Sequence, residues 1–366
     1  MSWKKKVLDY LDVRFGARDL LERNFTGYLL PRNINVWYTL GSVLLTLFAI
    51  QFITGILLLI YYVPNTELAF KSVQKIMNEV PFGWLFRYIH AIGANLIVLV
   101  LILHMLSILF MGSYKTPREI TWVIGFFLLL TALGMSLTGY LLPWSQLSYW
   151  ATTVATNSAS VTPLIGDQLV RFLRGGFDVG QPTLGRFFAL HVMGFPLAFG
   201  LLVGLHLFLV RRIGVSAPPF GPDYRPQPPP TRYHHADYPD GIPFFPNYVT
   251  KDLVATTFIL ALLMGVVFFA PWLFLPADAF EPADPFSTPA GIKPEWYFLA
   301  AYQTLKALPS ELAGIMVQTA AILFLLFLPF IDRGIERRPA KRPLFLFLFV
   351  TGVLVFIGLT IWGHFS

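Results

Sequence analysis

The stretch GWLFRYIHAIGANLIVLVLILHMLSILFM, residues 83–111, decides the fold of this chain. It is almost entirely apolar and is long enough, as a helix, to cross about 30 Å of hydrocarbon. Two histidines, His90 and His104, nevertheless lie inside the apolar run. An ionisable side chain within a membrane span is costly and therefore indicates a function. The stretch predicts a transmembrane helix that presents two functional imidazoles.

The composition of the whole chain agrees with a membrane location. Of the 366 residues, 55% are hydrophobic and 13% are charged, and the mean hydropathy is +0.62. Water-soluble domains of this size are far more polar. The net charge of +7 could suggest nucleic acid, but the basic residues lie in short loops between apolar runs, where they determine topology. We therefore predict contact with the lipid bilayer and no nucleic-acid partner.

The chain contains no cysteine. Disulfides, thiolate metal ligands, covalent c-type haem attachment and iron–sulfur ligation by this chain are therefore excluded. Any metal must be held by histidine or by oxygen.

Apolar stretches of sufficient length predict seven transmembrane helices and an all-α integral membrane fold. The predicted spans are 34–62, 83–111, 120–140, 184–211, 251–275, 312–331 and 344–363. We expect a four-helix domain at 1–215, a cytoplasmic Pro-rich connector at 216–250 and a three-helix domain at 251–366. An internal repeat is not evident, which argues against a transporter built from repeated halves.

The basic residues predict the orientation of the spans. With the N-terminus inside, most of the 27 lysines and arginines fall on the cytoplasmic side, as the positive-inside rule requires. The N-terminal segment also lacks the apolar core of a signal peptide. Segments 63–82, 141–183 and 276–311 then face outside. The last two are rich in aromatic residues and proline, and we expect them to cap a site at the interface.

Two more intramembrane histidines, His191 and His206, lie in the fourth predicted span. The steps of 14 residues from His90 to His104 and 15 residues from His191 to His206 keep each pair on one broad helix face, about 21 to 22 Å apart. Since the second and fourth spans run in the same direction, His90 matches His191 near the outer face and His104 matches His206 near the inner face. Opposed imidazoles at matched depth suit the two axial positions of a haem iron. The pattern predicts two b-type haems; the alternative is that each histidine only bonds a neighbouring hydroxyl or backbone group.

Four glycines in the first and third spans repeat the 14-residue step, namely Gly41, Gly55, Gly125 and Gly139. A residue without a side chain is needed where a flat macrocycle lies against a helix, although small residues also allow helices to approach closely. Arg87 and Arg186 precede the outer histidines and are predicted to pair with haem propionates. Snorkelling to the interface is the alternative for both arginines.

At this point the sequence resembles cytochrome b of the respiratory and photosynthetic cytochrome bc complexes over nearly its whole length. The matching segments are GWLFRYIHAIGAN (83–95), GYLLPWSQLSYWA (139–151), TLGRFFALH (183–191) and KPEWYFLAAY (293–302). The resemblance implies a quinol:cytochrome c oxidoreductase subunit. It would oxidise quinol outside, pass electrons through two b haems to a cytoplasmic-side quinone site, and couple this to proton translocation. The resemblance also implies a Rieske iron–sulfur protein and a c-type cytochrome as partners, a homodimer, and a bacterial cytoplasmic membrane with the N-terminus inside.

The family's Pro-Glu-Trp-Tyr motif stands here at 294–297, in the outer loop between the fifth and sixth spans. The resemblance gives Glu295 the role of accepting a proton from quinol. The chemistry agrees, because burial can raise the pKa of a carboxyl group near the membrane surface toward neutrality. The other residues that the resemblance assigns to the quinol pocket are Tyr140, Pro143, Trp150, Pro294, Tyr297 and Tyr302. Interface packing is the alternative for the aromatic ones.

On the cytoplasmic side, the resemblance makes Arg212, Lys251 and Asp252 candidates for the quinone-reduction site. Basic residues at the inner ends of helices are expected from topology alone, so Asp252 is favoured over the two cations.

Three departures from the family also have consequences. An eighth span is missing, so the chain resembles a fused form of the chloroplast-type four-plus-three arrangement. Thr39 stands where the chloroplast-type chain has the cysteine that binds an extra haem covalently, so any third haem would be non-covalent. Ala151 stands where mitochondrial chains have glycine, which predicts weak inhibition by strobilurin-type compounds.

Two other functions stay open on the residues alone. A dihaem membrane anchor for a peripheral dehydrogenase would use the four histidines but would leave the motif at 294–297 without a role. A transporter with proton-relay histidines would be colourless. His234, His235 and His364 are interpreted as ordinary loop and terminal residues.

Overall fold

The structure is a computed structural model that describes residues 2–221, 224–228, 230–233, 235–236 and 238–366. Five residues of the predicted connector 216–250 lie outside the described residues, namely Pro222, Asp223, Pro229, His234 and Asp237.

Helices dominate the described chain. Before the first long span lie α1 (Trp3–Phe15) and α2 (Ala17–Leu21). The first half continues with α3 (Leu40–Leu59), α4 (Ala69–Asn78), α5 (Gly83–Phe110), α6 (Glu119–Leu141), α7 (Gln146–Asn157), α8 (Gly166–Arg174), α9 (Gln181–Ala189) and α10 (Phe195–Ile213). The second half comprises α11 (Val249–Phe269), α12 (Trp296–Ala307), α13 (Glu311–Ile331) and α14 (Pro343–Phe365). Two short antiparallel strands, β1 (Leu29–Leu30) and β2 (Ile242–Pro243), pair with each other.

Within the described ranges, seven helices are long and apolar enough to cross a membrane. They are Val36–Leu59, Gly83–Phe110, Glu119–Leu141, Gln181–Ile213, Phe244–Phe269, Glu311–Ile331 and Pro343–Phe365. The all-α membrane fold class and the number of spans are thereby confirmed, and most bounds differ by only a few residues. The fifth span is the exception, because the predicted outer end at 275 was wrong. The helix ends at Phe269, since Pro271 has no N–H with which to continue the ladder.

The helices of the first half pack in two pairs, α3 with α5 and α6 with α10. Their apolar core extends into the second half of the chain. Val43 and Leu47 of α3 and Ile92 of α5 form one buried cluster with Leu263 and Val267 of α11. The first helix of the predicted C-terminal domain therefore shares a core with the N-terminal bundle, whereas α12, α13 and α14 pack largely on one another.

A buried ionic cluster joins the α5–α6 loop to the turn between α13 and α14. Lys115 Nζ lies 2.8 Å from Asp332 Oδ1, and Arg342 pairs with the other carboxylate oxygen, which also accepts a 2.5 Å hydrogen bond from the Tyr114 hydroxyl. Burial alone would raise the pKa of Asp332, but the hydrogen bonds from Lys115 and Tyr114 hold it below its ordinary value. This cluster stabilises the contact between the two halves of the chain.

The start of the connector is buried rather than solvated. Arg118 donates to the Gly214 carbonyl at 3.1 Å, and the Tyr38 hydroxyl donates to the Ser216 carbonyl at 2.9 Å. Arg337, from the turn before α14, donates to the Ala217 carbonyl at 2.9 Å. These hydrogen bonds satisfy the backbone of a segment without regular structure.

Candidate functional site

The outer pair of histidines meets in the centre of the first helical bundle. His90 on α5 and His191 face each other with ring centroids 6.2 Å apart and planes at 80°. Thr54 Oγ1 lies 2.9 Å from His90 Nδ1, and the Met135 carbonyl lies 2.9 Å from His191 Nδ1. Because the Thr54 hydroxyl donates to the Ile50 carbonyl at 2.7 Å, it accepts from the imidazole. Both Nδ1 atoms therefore carry the proton, and both Nε2 lone pairs are free to bind a metal.

The position of His191 depends on an irregular helix turn. Residues Leu190–Gly194 form a π-turn between α9 and α10, and Pro196 follows within the first turn of α10. Proline lacks the N–H that an uninterrupted helix would use here, and a π-turn accommodates one extra residue. Because the π-turn takes up one residue, the 15 residues from His191 to His206 turn through about the same angle as the 14 residues from His90 to His104 on α5. The angular difference between the two histidine pairs that regular helices would give is thereby removed.

The inner pair, His104 on α5 and His206 on α10, lies close enough to interact electrostatically. Its second nitrogens are held differently from those of the outer pair. His104 Nδ1 is buried and has no hydrogen-bond partner in the described chain. His206 Nδ1 approaches the Thr121 backbone without proper hydrogen-bond geometry.

Each of the four predicted glycines faces one of the four histidines. A Cβ at Gly55 would lie 3.3 Å from His90 Cε1, and one at Gly125 would lie 3.3 Å from His206 Cε1. At Gly41 the corresponding distance to His104 Cε1 is 4.0 Å, and at Gly139 a Cβ would overlap the His191 ring. The glycines therefore leave room beside the imidazoles, most strictly at Gly139.

The two predicted propionate partners differ in what they contact. Arg87 lies on α5 three residues before His90 and makes no hydrogen bond or salt bridge within the described ranges. The exposed Arg186 donates to the Phe172 carbonyl. Arg87 is thus available to pair with an anionic group, whereas Arg186 is already engaged with the outer loop.

These residues fit a bis-histidine haem at each level of the bundle. The opposed rings, the oriented outer Nε2 atoms and the glycine clearance are the features that such a group requires. Among the described residues, no group of three or more histidine, cysteine, aspartate or glutamate side chains could hold a metal ion. Two-histidine sites are therefore the kind of metal site that the described chain offers.

Glu295 lies at the outer end of the bundle, directly before α12. Its backbone is extended, with φ −53° and ψ 151°, and its side chain does not cap the helix. It lines a cavity together with Tyr140 of α6, Ala151 of α7, Pro294 and Tyr297. The space that remains is about 10 Å³, room for about one water molecule, so a ring-sized ligand requires α7 and α12 to move apart.

Burial raises the pKa of Glu295 to about 7. The Tyr140 hydroxyl, which is close enough to donate to the carboxylate, lowers the same pKa and so offsets part of this effect. A carboxyl group with this pKa is well suited to accept and release protons near neutral pH.

Three residues assigned to the quinol pocket lie away from this cavity: Pro143, Trp150 and Tyr302 are not among its described lining residues. Trp150 precedes Ala151 and points to another face of α7, where its Nε1 donates to the Asp284 carbonyl at 3.2 Å. Tyr302 lies seven residues beyond Glu295, about 10 Å along α12. Helical phase accounts for the absence of Trp150 from the lining, and helical rise accounts for the absence of Tyr302.

The candidates on the cytoplasmic side are also separated. One Asp252 oxygen is buried and has no partner in the described part of the chain, and the carboxyl group lies beside Ser42. Ser42 follows Gly41, the glycine that faces His104. Lys251 Nζ donates to the Ile34 carbonyl at 3.3 Å, and the Arg212 guanidinium lies over the Tyr233 ring at 4.5 Å. Of the three candidates, only Asp252 has a buried side-chain atom without a partner in the described part of the chain.

Sequence reasoning missed two groups that complete the outer site. Thr54 precedes Gly55 in an apolar span, and a hydroxyl beside a glycine could have indicated a ligand-orienting role. No sequence feature indicated the Met135 carbonyl, because every residue of a helix has a backbone carbonyl group. Its availability depends on the helix geometry around it.

Comparison with protein families gives two matches. Residues 25–214 match the family described as Cytochrome b/b6/petB, and residues 282–366 match Cytochrome b(C-terminal)/b6/petD. Together they cover most of the chain.

Similar proteins agree with these matches. Cytochrome b of Rickettsia prowazekii (strain Madrid E) is 40% identical over 339 residues, covering 93% of this chain and 82% of that protein. Cytochrome b/c1 of Bradyrhizobium diazoefficiens is 37% identical over 96% of this chain, which spans 50% of that longer protein. A solved chain from a hyperthermophilic respiratory Complex III superposes with a TM-score of 0.89 and 38% identity, covering 98% of this chain and 91% of the solved one.

Proposed function

The chain belongs to the cytochrome b family, as the cytochrome b of a respiratory cytochrome bc complex, and on that premise we propose that it oxidises quinol outside and reduces quinone inside. The observation that carries the proposal is the Glu295 carboxyl group. It faces Tyr140 in a buried cavity at the outer end of the bundle, and its pKa is about 7.

Proton removal is the step for which this cavity is suited. A quinol releases two protons and two electrons, and its hydroxyl becomes easier to oxidise once a base takes the proton. Glu295, whose pKa burial raises to about 7, is that base. Tyr140 hydrogen-bonds the carboxylate and orients it toward the ring, while Pro294 and Tyr297 form the wall that excludes water. Rotation of Glu295 toward the outer surface then releases the proton.

The histidines supply the binding sites for the electron carriers. His90 with His191 and His104 with His206 would hold two b-type haems, which supply one-electron redox chemistry between the two quinone sites. Gly41, Gly55, Gly125 and Gly139 would leave space for their faces. Arg87 would pair with an outer propionate, and Arg186 would need to leave the Phe172 carbonyl to do the same.

On the cytoplasmic side, Asp252 delivers protons to the bound quinone, since its buried oxygen has no other partner within the described ranges. Proton release outside and uptake inside together translocate protons. Arg212 and Lys251 provide positive charge near this site and do not contact the ring. The N-terminus lies in the cytoplasm, and the membrane is the bacterial cytoplasmic membrane.

The proposal also includes partner proteins and a division of the chain into domains. One electron from each quinol leaves to a Rieske iron–sulfur protein, because this chain has no cysteine to hold such a centre. A c-type cytochrome receives that electron, and the complex is a homodimer. The domains are the four-helix dihaem domain 1–215, the connector 216–250 and the C-terminal domain 251–366.

The test is a dithionite-reduced minus oxidised spectrum of the purified complex, with haem quantified per chain and quinol oxidation measured on the same sample. We expect two b haems per chain and an activity that depends on Glu295. Absence of haem, or full quinol oxidation by Glu295→Gln, would contradict the proposal.

A further inference from the structure

The tryptophan of the motif at 294–297 connects the Glu295 segment to the helix of His90. Trp296 Nε1 donates to Asn95 Oδ1 at 3.0 Å. Asn95 lies on α5 and is only 7% exposed. Its amide nitrogen donates to the Ala91 carbonyl at 3.2 Å, one turn earlier on the same helix. Both ends of this amide are therefore bonded, one within α5 and the other to Trp296.

Successive residues of the motif contact different helices. Glu295 and Tyr297 line the cavity beside α6 and α7, and the buried Tyr297 hydroxyl interacts with Ser136 of α6. Trp296 is absent from the described lining, because its indole points toward α5 instead. The motif thus bridges α5 and α6, and Glu295 comes directly before the two attachments.

The position of Asn95 along α5 gives the bond its significance. It lies five residues after His90, about 7.5 Å along the same helix axis. A buried amide in a membrane span is unfavourable unless it is hydrogen-bonded. Removing the Trp296 partner would leave Asn95 Oδ1 unpaired in an apolar environment, so the two side chains hold each other in place.

We propose that Asn95 is a positioning residue for quinol oxidation, which through Trp296 holds the Glu295 segment at a set distance from His90. The inference rests on the proposed function. The proton and the electron leave one quinol in two directions, toward Glu295 and toward the His90 level of the bundle. Their acceptors must therefore be kept in register. The rigid helix α5 fixes the position of Asn95 relative to His90. The Trp296–Asn95 hydrogen bond then fixes the position of the Glu295 segment relative to α5.

The experiment compares Asn95→Leu, Trp296→Phe and the double variant in the assembled complex. Each single variant removes one side of the hydrogen bond and keeps an apolar side chain at that position. We expect each to lower kcat/KM for quinol by about three- to tenfold, as loss of one buried hydrogen bond predicts. The apparent pKa of the activity should move from about 7 toward the ordinary 4.5 of a glutamate, since a loosened loop admits water. The double variant should be no worse than either single variant.

Thr360→Val is the matched control, because it removes a hydroxyl that, among the described residues, bonds only within α14, to the Phe356 carbonyl at 2.8 Å. It should behave as the unmodified chain. Haem content is measured throughout as a readout of folding that is independent of turnover. Additive losses in the double variant, or an unshifted pH profile in both single variants, would overturn the inference.

The Glu295→Gln variant separates the two proposals. If this variant keeps full activity, the proposed function fails. If it loses most activity while the Asn95 and Trp296 variants behave normally, only the positioning role is refuted.

Discussion

The outer and inner histidine pairs use the same residue types at the same spacing, yet the protein holds them differently. His90 and His191 each donate Nδ1–H to a nearby oxygen, on Thr54 and on the Met135 backbone. His104 Nδ1 has no such acceptor within the described chain. Acceptors of this kind orient a ligating imidazole and raise its basicity. The outer site is therefore preorganised, whereas the inner site leaves its ligands free to adjust.

The acidic residues at the two levels show a related difference. Glu295 lies in a small cavity close to Tyr140, whereas Asp252 lies beside Ser42 with one oxygen unpaired among the described residues. A base that must remove a proton from a bound ring benefits from a defined partner. A residue that passes protons inward from the cytoplasm benefits from an oxygen that can change partners. The comparison indicates an outer carboxyl group with a defined neighbour and an inner carboxyl group with one oxygen unpaired among the described residues.

Removal of an outer histidine should have the largest effect. His191→Ala leaves one axial position without a ligand, so we expect haem to fall from two per chain to about one and quinol oxidation to be abolished. The measurement is the pyridine haemochrome content together with the difference spectrum. His235→Ala, which changes a histidine outside the spans, should retain both haems. Retention of both haems by His191→Ala would refute the assignment of the outer pair.

Loss of the outer base should have the next largest effect. In Glu295→Gln no carboxylate can accept the proton, and we expect quinol oxidation to fall by about 10²- to 10³-fold. In the unmodified chain the active form is the deprotonated one, so the rate should rise with pH up to about 7 and then level off. That rise should disappear in the variant. Initial rates measured between pH 5 and 9 test both points, and a surviving pH dependence would assign the base elsewhere.

The glycines allow a direct test of the difference between the two levels. A Cβ at Gly139 overlaps the His191 ring, whereas a Cβ at Gly41 reaches only ordinary contact with His104. We expect Gly139→Ala to lower the outer haem content severalfold and Gly41→Ala to leave the imidazoles in place. Haem content and low-temperature spectra would distinguish the two levels. Equal losses of haem in both variants would show that space for the haem ring, and not contact between Cβ and the imidazole, determines haem content.

The smallest effect is expected at the outer hydroxyl. Thr54→Val removes the acceptor for His90 Nδ1–H, which weakens donation from the imidazole to an oxidised iron. We expect the outer midpoint potential to rise by up to about 60 mV, equivalent to a tenfold change in a one-electron equilibrium. Redox titration followed optically gives the value for each level. Thr46→Val, which removes a hydroxyl bonded to the Ser42 carbonyl, is the control and should leave the outer potential unchanged.

Much of this architecture could be predicted from local sequence. The seven spans follow from runs of apolar residues, and the matched histidines and glycines follow from the helical repeat, since both properties depend on residues close together in the chain. The outer end of the fifth span was missed, because apolar residues continue past Phe269 although Pro271 ends the helix.

Tertiary structure alone decided how the site is oriented. The π-turn at Leu190–Gly194 brings His191 into register, Ala151 rather than Trp150 faces Glu295, and Trp296 reaches Asn95 on another helix. The last two features depend on contacts between residues far apart in sequence and on the phase with which separate helices pack. The π-turn is local, but its effect on the position of His191 relative to His90 depends on how the two helices pack. The sequence by itself therefore determined which side chains are available and at what depth. Packing decided which of them meet, because hydrogen bonding and close contact require angles and distances that no local pattern encodes.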